Sequence, residues 1–405
     1  MITTDQKELI KATVPVLREH GVALTTHFYS RMFTHNPELK NVFNMGNQGN
    51  GKQQLSLAMA VLAYAENIED PSVLVSAVMK IGHKHMSLDI RPEHYTIVGK
   101  HLLASISEVL GEGATPELIE AWAVAYQQLA DLMIGLEQNL YLESVAKKGG
   151  WTGWRPFLVK QKVKESEEIT SFYLYPADGG KVADFMPGQY LSVRLFLPEL
   201  NLLQPRQYSL SSAPNEAYYR ISVKKEAGKT EHPNGLISNR LHETVLEGDV
   251  IEIAPPAGDF ILDTMKDTPV VFISGGVGQT PLLSMLEYLA STESNREIVW
   301  VHGARNRQVH AFREPLTTLE GQHGKLKKHI FYDTLDELMQ VEGGYYEGIV
   351  ELGKLKDVAL LKDADYYICG PAPFIKKQFY DLAAMGVNKE AIHYEEFGPA
   401  NLVLS

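Results

Sequence analysis

The sequence predicts three folds in series: an all-α domain, an antiparallel β-barrel, and an α/β domain built on a parallel sheet. Three observations carry this. Residues 1–146 keep helical periodicity with almost no strand alternation. After Lys147-Lys148-Gly149-Gly150 the apolar period drops to two. From Thr268 onward, apolar strands alternate with helical stretches. A chain of 405 residues is too long for one ordinary core.

Composition narrows the function. Apolar content of 44% and charged content of 22% are those of a globular protein. A formal net charge of −12 argues against nucleic acid and acidic membrane surfaces as partners. The single cysteine, Cys369, excludes an intramolecular disulfide and fits a reducing cytoplasm. No apolar run approaches the ~18 residues of a membrane span, and Met1–Glu8 lacks the pattern of a signal peptide. A cytoplasmic monomer is expected.

In the helical part, Pro37, Pro71, Pro92 and Pro116 fall near helix starts, while Pro15 stands apart from that pattern. The run Ser72–Met86 places Leu74, Ala77, Val78 and Ile81 on one apolar stripe that Gly82 and His85 continue. An imidazole beside such a slot suits a haem iron, so His85 is the candidate metal ligand; a core histidine is the alternative. Phe28-Tyr29 lies on an amphipathic helix, and Phe43 at a corner between two helices. Gln53, Leu57 and Val61 share one helical face. His83, two residues from His85, points elsewhere on the helix, and His94 and His101 read as structural or exposed. A last helix runs through Leu118, Trp122, Ala125, Leu129, Leu132, Leu136 and Leu140.

The middle part reads as short strands separated by turns, the pattern of a small barrel. Within it, Arg206-Gln207-Tyr208-Ser209 alternates sides: a guanidinium to grip phosphate, an aromatic to stack on a flat ring, and a hydroxyl for a ring nitrogen. Tyr190 follows a Pro-Gly-Gln turn. Gly235 to Ser238 opens a helix whose N-terminus suits a pyrophosphate.

In the last part, a continuous apolar strand from Pro269 runs into Gly275-Gly276-Val277-Gly278-Gln279-Thr280 and then a helix. Such a turn lets backbone N–H groups approach a dinucleotide pyrophosphate. Asp365 to Cys369-Gly370-Pro371 reads as a strand ending in a turn at a sheet edge, although a buried small residue is the commoner fate of a cysteine. The chain closes on Glu395-Glu396-Phe397-Gly398-Pro399.

Residues 1–146, with Tyr29, Phe43, Gln53, Leu57, Lys84-His85, Tyr95 and Glu137, resemble the globin half of the bacterial flavohaemoglobin (nitric oxide dioxygenase) family. Arg206–Ser209, the glycine turn and Cys369–Pro371 resemble the FAD and NAD(P)-binding parts of the ferredoxin reductase family, so the resemblance spans the chain. It implies a globin (haem) domain over 1–147, an FAD-binding β-barrel domain over 151–262 and an NAD(P)H-binding α/β domain over 268–405. It also implies haem b on His85, with Tyr29 and Gln53 lining the distal pocket and Tyr95 and Glu137 forming a relay behind the histidine. FAD would be held by Tyr190, Arg206–Ser209, Gly235 and Ser238. NADH or NADPH would lie on Gly275–Thr280, with Cys369–Pro371 by the nicotinamide, Phe397 on the flavin face and Glu395 between flavin and haem. The implied activity converts NO and O2 to nitrate with electrons from NAD(P)H. Alternatives are a haem-regulated oxidoreductase acting on alkyl hydroperoxides, ferric iron or quinones, and an O2/NO-sensing or storage globin. An apolar distal pocket could also take a lipid chain or an azole. Arg305 and Arg307 are candidate partners for a 2′-phosphate.

Overall fold

A computed structural model describes residues 2–228, 234–335 and 343–398. The chain divides into two compact units. The first holds residues 1–147, 151–154 and 192–206; the second holds 148–150, 155–191 and 207–405.

The first unit is built from α1 (Thr4–Ala12), α2 (Val14–His35), α3 (Met45–Gly49), α4 (Lys52–Glu66), α5 (Val75–Met86), α6 (Pro92–Leu110) and α7 (Pro116–Ala146). Local chemistry sets the starts. The Thr3 hydroxyl accepts from the Gln6 amide and the Gln6 side chain answers in a capping box. Thr115 caps α7 ahead of Pro116. Asp70 accepts from the Ser72 amide, ahead of a short 3-10 turn (Pro71–Leu74) that leads into α5. Pro15, set apart on sequence, also lies in the first turn of a helix: α1 stops at Ala12 and α2 begins at Val14.

The expected stripe on α5 is corrected in part. Ala77 and Ile81 are exposed, whereas Gly82 and Met86 are buried. The reason is the contact with α7: a Cβ on Gly82 would lie 2.7 Å from Leu136 Cδ2, so the glycine face is the one that packs. Leu132 on α7 is likewise exposed. Gly99 plays the matching role on α6, lying against the Tyr126 ring. No helix among the described residues is long and apolar enough to cross a membrane.

The antiparallel sheet comprises β1 (Arg155–Lys164), β2 (Ile169–Pro176), β3 (Tyr190–Leu197), β4 (Leu202–Ser209), β5 (Tyr219–Lys224) and β6 (Val250–Ile253), in the order β4-β3-β6-β1-β2-β5. An antiparallel bridge between Leu210 and Ile221 joins the end of β4 to β5 and curls the sheet into a barrel. Helix α8 (Leu236–Glu243) follows β5.

The parallel sheet is formed by β7 (Val270–Gly275), β8 (Ile298–Ala304), β9 (Leu326–Tyr332), β10 (Tyr345–Glu347), β11 (Asp365–Gly370) and β12 (Ile392–Glu396), with α9 (Gln279–Ser291), α10 (Arg313–Gln322), α11 (Lys356–Ala359) and α12 (Ala372–Ala384) between strands. Its order is β10-β9-β8-β7-β11-β12. The central strands β7 and β11 are buried on both faces, which is why β7 reads as an unbroken apolar run. Val270 and Phe272 join the core with Trp300 and Leu283; Val271 and Ile273 join the opposite core with Val299 and Ile368. The strand β11, expected at an edge, is internal: it pairs with β7 on one side and β12 on the other, because the chain's last strand is added outside it.

Near the C-terminal ends of these strands two buried histidines pack against each other, ring centroids 4.5 Å apart and planes tilted by 32°. His302 Nδ1 lies 2.8 Å from Ser274 Oγ and His310 Nδ1 2.7 Å from Tyr332 OH. Burial lowers the pKa of His302 to about 3 and that of His310 well below its ordinary value. The unfolded chain therefore binds protons that the fold rejects, and stability falls as pH drops below about 6.5. Urea unfolding of His310→Gln should show a weaker loss between pH 7 and pH 4.5 than the parent, by roughly one proton; an identical slope would contradict this.

Candidate functional site

In the helical unit two groups of side chains assemble. The first surrounds His85, the penultimate residue of α5. Its Nδ1 is 2.8 Å from Glu137 Oε1 on α7 and 3.0 Å from the Tyr95 hydroxyl on α6. Tyr95 also donates to Glu137 Oε1 at 2.6 Å, closing a triangle. Glu137 is only 3% exposed, so its carboxyl group is held by these partners rather than by water. Burial, then the Glu137 hydrogen bond, push the Tyr95 hydroxyl well above its ordinary pKa, which keeps it a donor. Tyr126 secures the Tyr95 backbone, donating to its carbonyl at 2.6 Å.

With Glu137 accepting, the ring takes the Nδ1–H tautomer and the Nε2 lone pair is left for a metal. Lys84 precedes the ligand and is partly buried, and burial lowers its pKa. His101 is structural: it hydrogen-bonds Arg31 and Asn36 in the interior.

The second group brings together residues from α2, α4 and the corner between them. Tyr29 is buried and packs edge-on against Phe43, centroids 5.8 Å apart. Phe33 and Leu57 belong to the same core. Burial raises the Tyr29 pKa to about 12, while hydrogen bonds with the Gln53 and Gln48 side chains oppose it. Tyr29 is therefore a neutral hydroxyl throughout the physiological range. Gln48 is a partner the sequence reading did not single out; it comes from α3, a five-residue helix with no apolar period to reveal it.

A third feature of this unit was also unforeseen. Gln204, fully buried on β4, accepts from the Met45 amide at 2.9 Å and donates to the Lys40 carbonyl at 2.8 Å. The Leu203 amide donates to Asn41 Oδ1, and Ser192 Oγ to Ser87 Oγ at 3.0 Å. A β-hairpin is thus tied to the corner carrying Phe43 and to the turn that follows His85. These bonds join residues more than a hundred positions apart, beyond any local pattern.

In the second unit Tyr190 lies against Gly258, whose added Cβ would be 2.9 Å from its ring. Gln207, Tyr208 and Ser209 end β4, with Ser209 buried; Arg206 belongs to the first unit, where its guanidinium lies 3.3 Å from the Cβ position of Gly46. Gly235 is the N-cap of α8 and brings no side chain to that end. Ser238 Oγ donates to the Gly235 carbonyl and accepts from the Glu226 amide, so it also braces the turn.

Strand order locates the dinucleotide candidate. From β7 the chain proceeds outward through β8, β9 and β10, while β11 and β12 lie on the other side. The reversal falls between β7 and β11, where such sheets bind ligands at their C-terminal ends. There Gly275–Thr280 meets Cys369–Pro371: a Cβ on Gly278 would lie 2.3 Å from the Cys369 carbonyl oxygen. Gly276 adopts φ +56° with open space at its Cβ position, and Val277 and Gln279 flank Gly278 in the same turn. The Thr280 hydroxyl caps the Val277 carbonyl. Phe374, unmarked by any motif, packs on Gly275 and Gly370.

Cys369 is fully buried and burial pushes its thiol pKa well up. Glu395 and Glu396 pair in register with Cys369 and Gly370. Glu396 Oε2 is buried without a hydrogen-bond partner among the described residues. Phe397 is half-exposed, Gly398 follows it, and Pro399 lies outside the described residues.

Residues 26–133 match the globin family model and residues 272–378 the oxidoreductase NAD-binding domain model. A flavohemoprotein of Bordetella pertussis is 54% identical over 401 residues, 98% of this chain and 99% of that one. One from Rhizobium meliloti is 52% identical over 402 residues, with the same coverage. Among solved structures, the flavohemoglobin of Malassezia yamatoensis, with bound FAD and heme, superposes with TM-score 0.86 at 27% identity, over 98% of this chain and 100% of that one.

The close approach at Gly278 generates a test. Gly278→Ala drives a methyl into the backbone of Cys369 and must displace one of the two motifs. NADH should reduce the flavin at least roughly tenfold more slowly, the scale of an overpacked backbone contact worth ~1–3 kcal/mol. Stopped-flow absorbance at the flavin band measures it.

Proposed function

The chain belongs to the flavohemoprotein family, and on that premise we propose that it is an NAD(P)H-dependent nitric oxide dioxygenase, combining NO, O2 and one electron to give nitrate. The observation that carries this reading is the pairing of a buried neutral tyrosine beside Gln53 with a histidine whose Nδ1 is committed to Glu137 and Tyr95. We propose three domains: 1–147 for haem, 151–262 for FAD and 268–405 for NAD(P)H. A solved FAD/NAD-binding domain of a nitric oxide dioxygenase from Vibrio cholerae supports the assignment, with 37% identity over 60% of this chain and TM-score 0.56.

The donor set fits a haem: one imidazole whose Nδ1 faces Glu137, with no carboxylate or thiolate in the described residues completing a three-ligand ion site. Bound haem supplies an iron that takes O2, and bound FAD supplies the division of a two-electron hydride into single electrons.

The chain's own residues do the rest. His85 binds through Nε2, and Glu137, accepting from Nδ1–H, orients the ring and raises its basicity. More electron density on the ligand favours activating O–O over storing it. Tyr95 fixes the carboxyl group. Tyr29 and Gln53 would offer hydrogen-bond donors to O2 bound at the haem, with Phe43 and Leu57 in the same core, and Lys84 flanks His85 in sequence. Tyr190 and Arg206–Ser209 hold the flavin, Gly235 and Ser238 its pyrophosphate. Gly275–Thr280 and Cys369–Pro371 hold the nicotinamide dinucleotide, with Glu395, Glu396 and Phe397 on the flavin side.

Purified protein loaded with haem and flavin should consume NO rapidly only when both O2 and NADH are present. Equal rates without them overturn the proposal. Tyr29→Phe should speed O2 dissociation roughly tenfold, the effect of one buried hydrogen bond of ~1.5 kcal/mol; flash photolysis reads it, and unchanged dissociation removes Tyr29 from this role.

A further inference from the structure

The turn after β8 holds an ion pair whose position suits cofactor discrimination. In sheets of this kind the loop after the second strand reads the adenosine ribose: a carboxylate there takes the 2′-hydroxyl of NADH, an arginine the 2′-phosphate of NADPH. Here the pairing of β7 with β8 sets Gly275 opposite Gly303, so Arg305 follows two residues beyond the glycine turn's own level. The loop is rigid. Asn306 Oδ1 accepts from the Gln308 and Val309 amides, both at 3.1 Å, and the Asp333 amide donates to the Arg305 carbonyl at 3.2 Å.

The loop has no carboxylate of its own: Ala304-Arg305-Asn306-Arg307-Gln308. One arrives from elsewhere. Glu168, in the turn between β1 and β2, forms an ion pair with Arg305 Nη2, and the neighbouring Glu167 amide donates to the Gln308 carbonyl at 3.0 Å, anchoring turn to turn. Arg305 is 61% exposed in its side chain and Glu168 30%, so the pair stands at a surface a cosubstrate can reach.

Resting on the nucleotide-binding reading above, we propose that the Glu168–Arg305 pair sets the preference for NADH over NADPH: Glu168 occupies the guanidinium that would otherwise grip a 2′-phosphate. A dianionic phosphate entering beside the pair must displace Glu168 from Arg305 and meets its negative charge. A 2′-hydroxyl faces no such competition. Arg307, exposed nearby, is the rival cation for the same group.

The test uses the full-length, cofactor-loaded protein. Glu168→Gln removes the competing charge while keeping size and hydrogen bonding, and should raise the kcat/KM ratio of NADPH to NADH roughly three- to tenfold, the scale of one charge-assisted contact at a half-exposed site. Calorimetry with adenosine 2′,5′-bisphosphate against adenosine 5′-monophosphate should show the same gain in binding without turnover. Adding Arg305→Gln should abolish both gains. Glu168→Ala is the second variant if glutamine disturbs the turn. No gain on removing Glu168 overturns the proposal; a gain that survives loss of Arg305 overturns it too, passing the role to Arg307. NADH reduction of the flavin in the same preparations reports separately on the underlying function, since its loss in the parent protein would sink that reading and not this pair alone.

Discussion

A carboxyl group sealed among helices is the constraint on which the haem-side structure depends. Glu137 has almost no contact with solvent, and removing its partners would strand a buried polar group at a cost of several kcal/mol. Those partners come from different helices: His85 from α5 and Tyr95 from α6, both meeting a single oxygen on α7. Satisfying one oxygen therefore fixes the mutual register of three helices. Gly82 and Gly99 let α5 and α6 approach α7 closely enough for this, since any larger side chain would collide with Leu136 or Tyr126. Packing and chemistry are thus the same requirement.

The hairpin over residues 192–206 gives that arrangement a second support. It is part of the helical unit by its contacts although it is made of barrel strands. Gln204 replaces backbone partners for Lys40 and Met45 at the corner bearing Phe43, and Ser192 meets Ser87 just past His85. Strand β4 then continues directly into Gln207-Tyr208-Ser209.

In the second unit the organising fact is the reversal of strand order between β7 and β11. It brings two glycine-containing motifs, almost a hundred residues apart, into backbone contact at Gly278 and Cys369. Burial then removes Cys369 from redox or nucleophilic use at ordinary pH, because its thiolate is disfavoured.

Much of this was legible in the sequence by itself. Helical period, the change to period two after Gly150, and the apolar run of β7 each report local geometry, and local geometry is written in neighbouring residues. His85 was nameable as an imidazole beside an apolar slot, and Tyr29, Gln53, Tyr95 and Glu137 through the resemblance to flavohaemoglobins. Whether they meet was not, since every one of those contacts crosses helices. The same holds for the errors. Ala77 and Ile81 share an apolar stripe, yet Gly82 packs inward, because the partner helix and not the period chooses the buried face. The strand β11 is internal because β12 is added beyond it, a matter of topology. Gln204, Gln48, Phe374 and the Glu168–Arg305 pair carried no local signal at all. Sequence alone determined the kinds of element and the chemistry available to them; the tertiary structure decided which groups share a hydrogen bond, because that depends on distances between segments that no periodicity encodes.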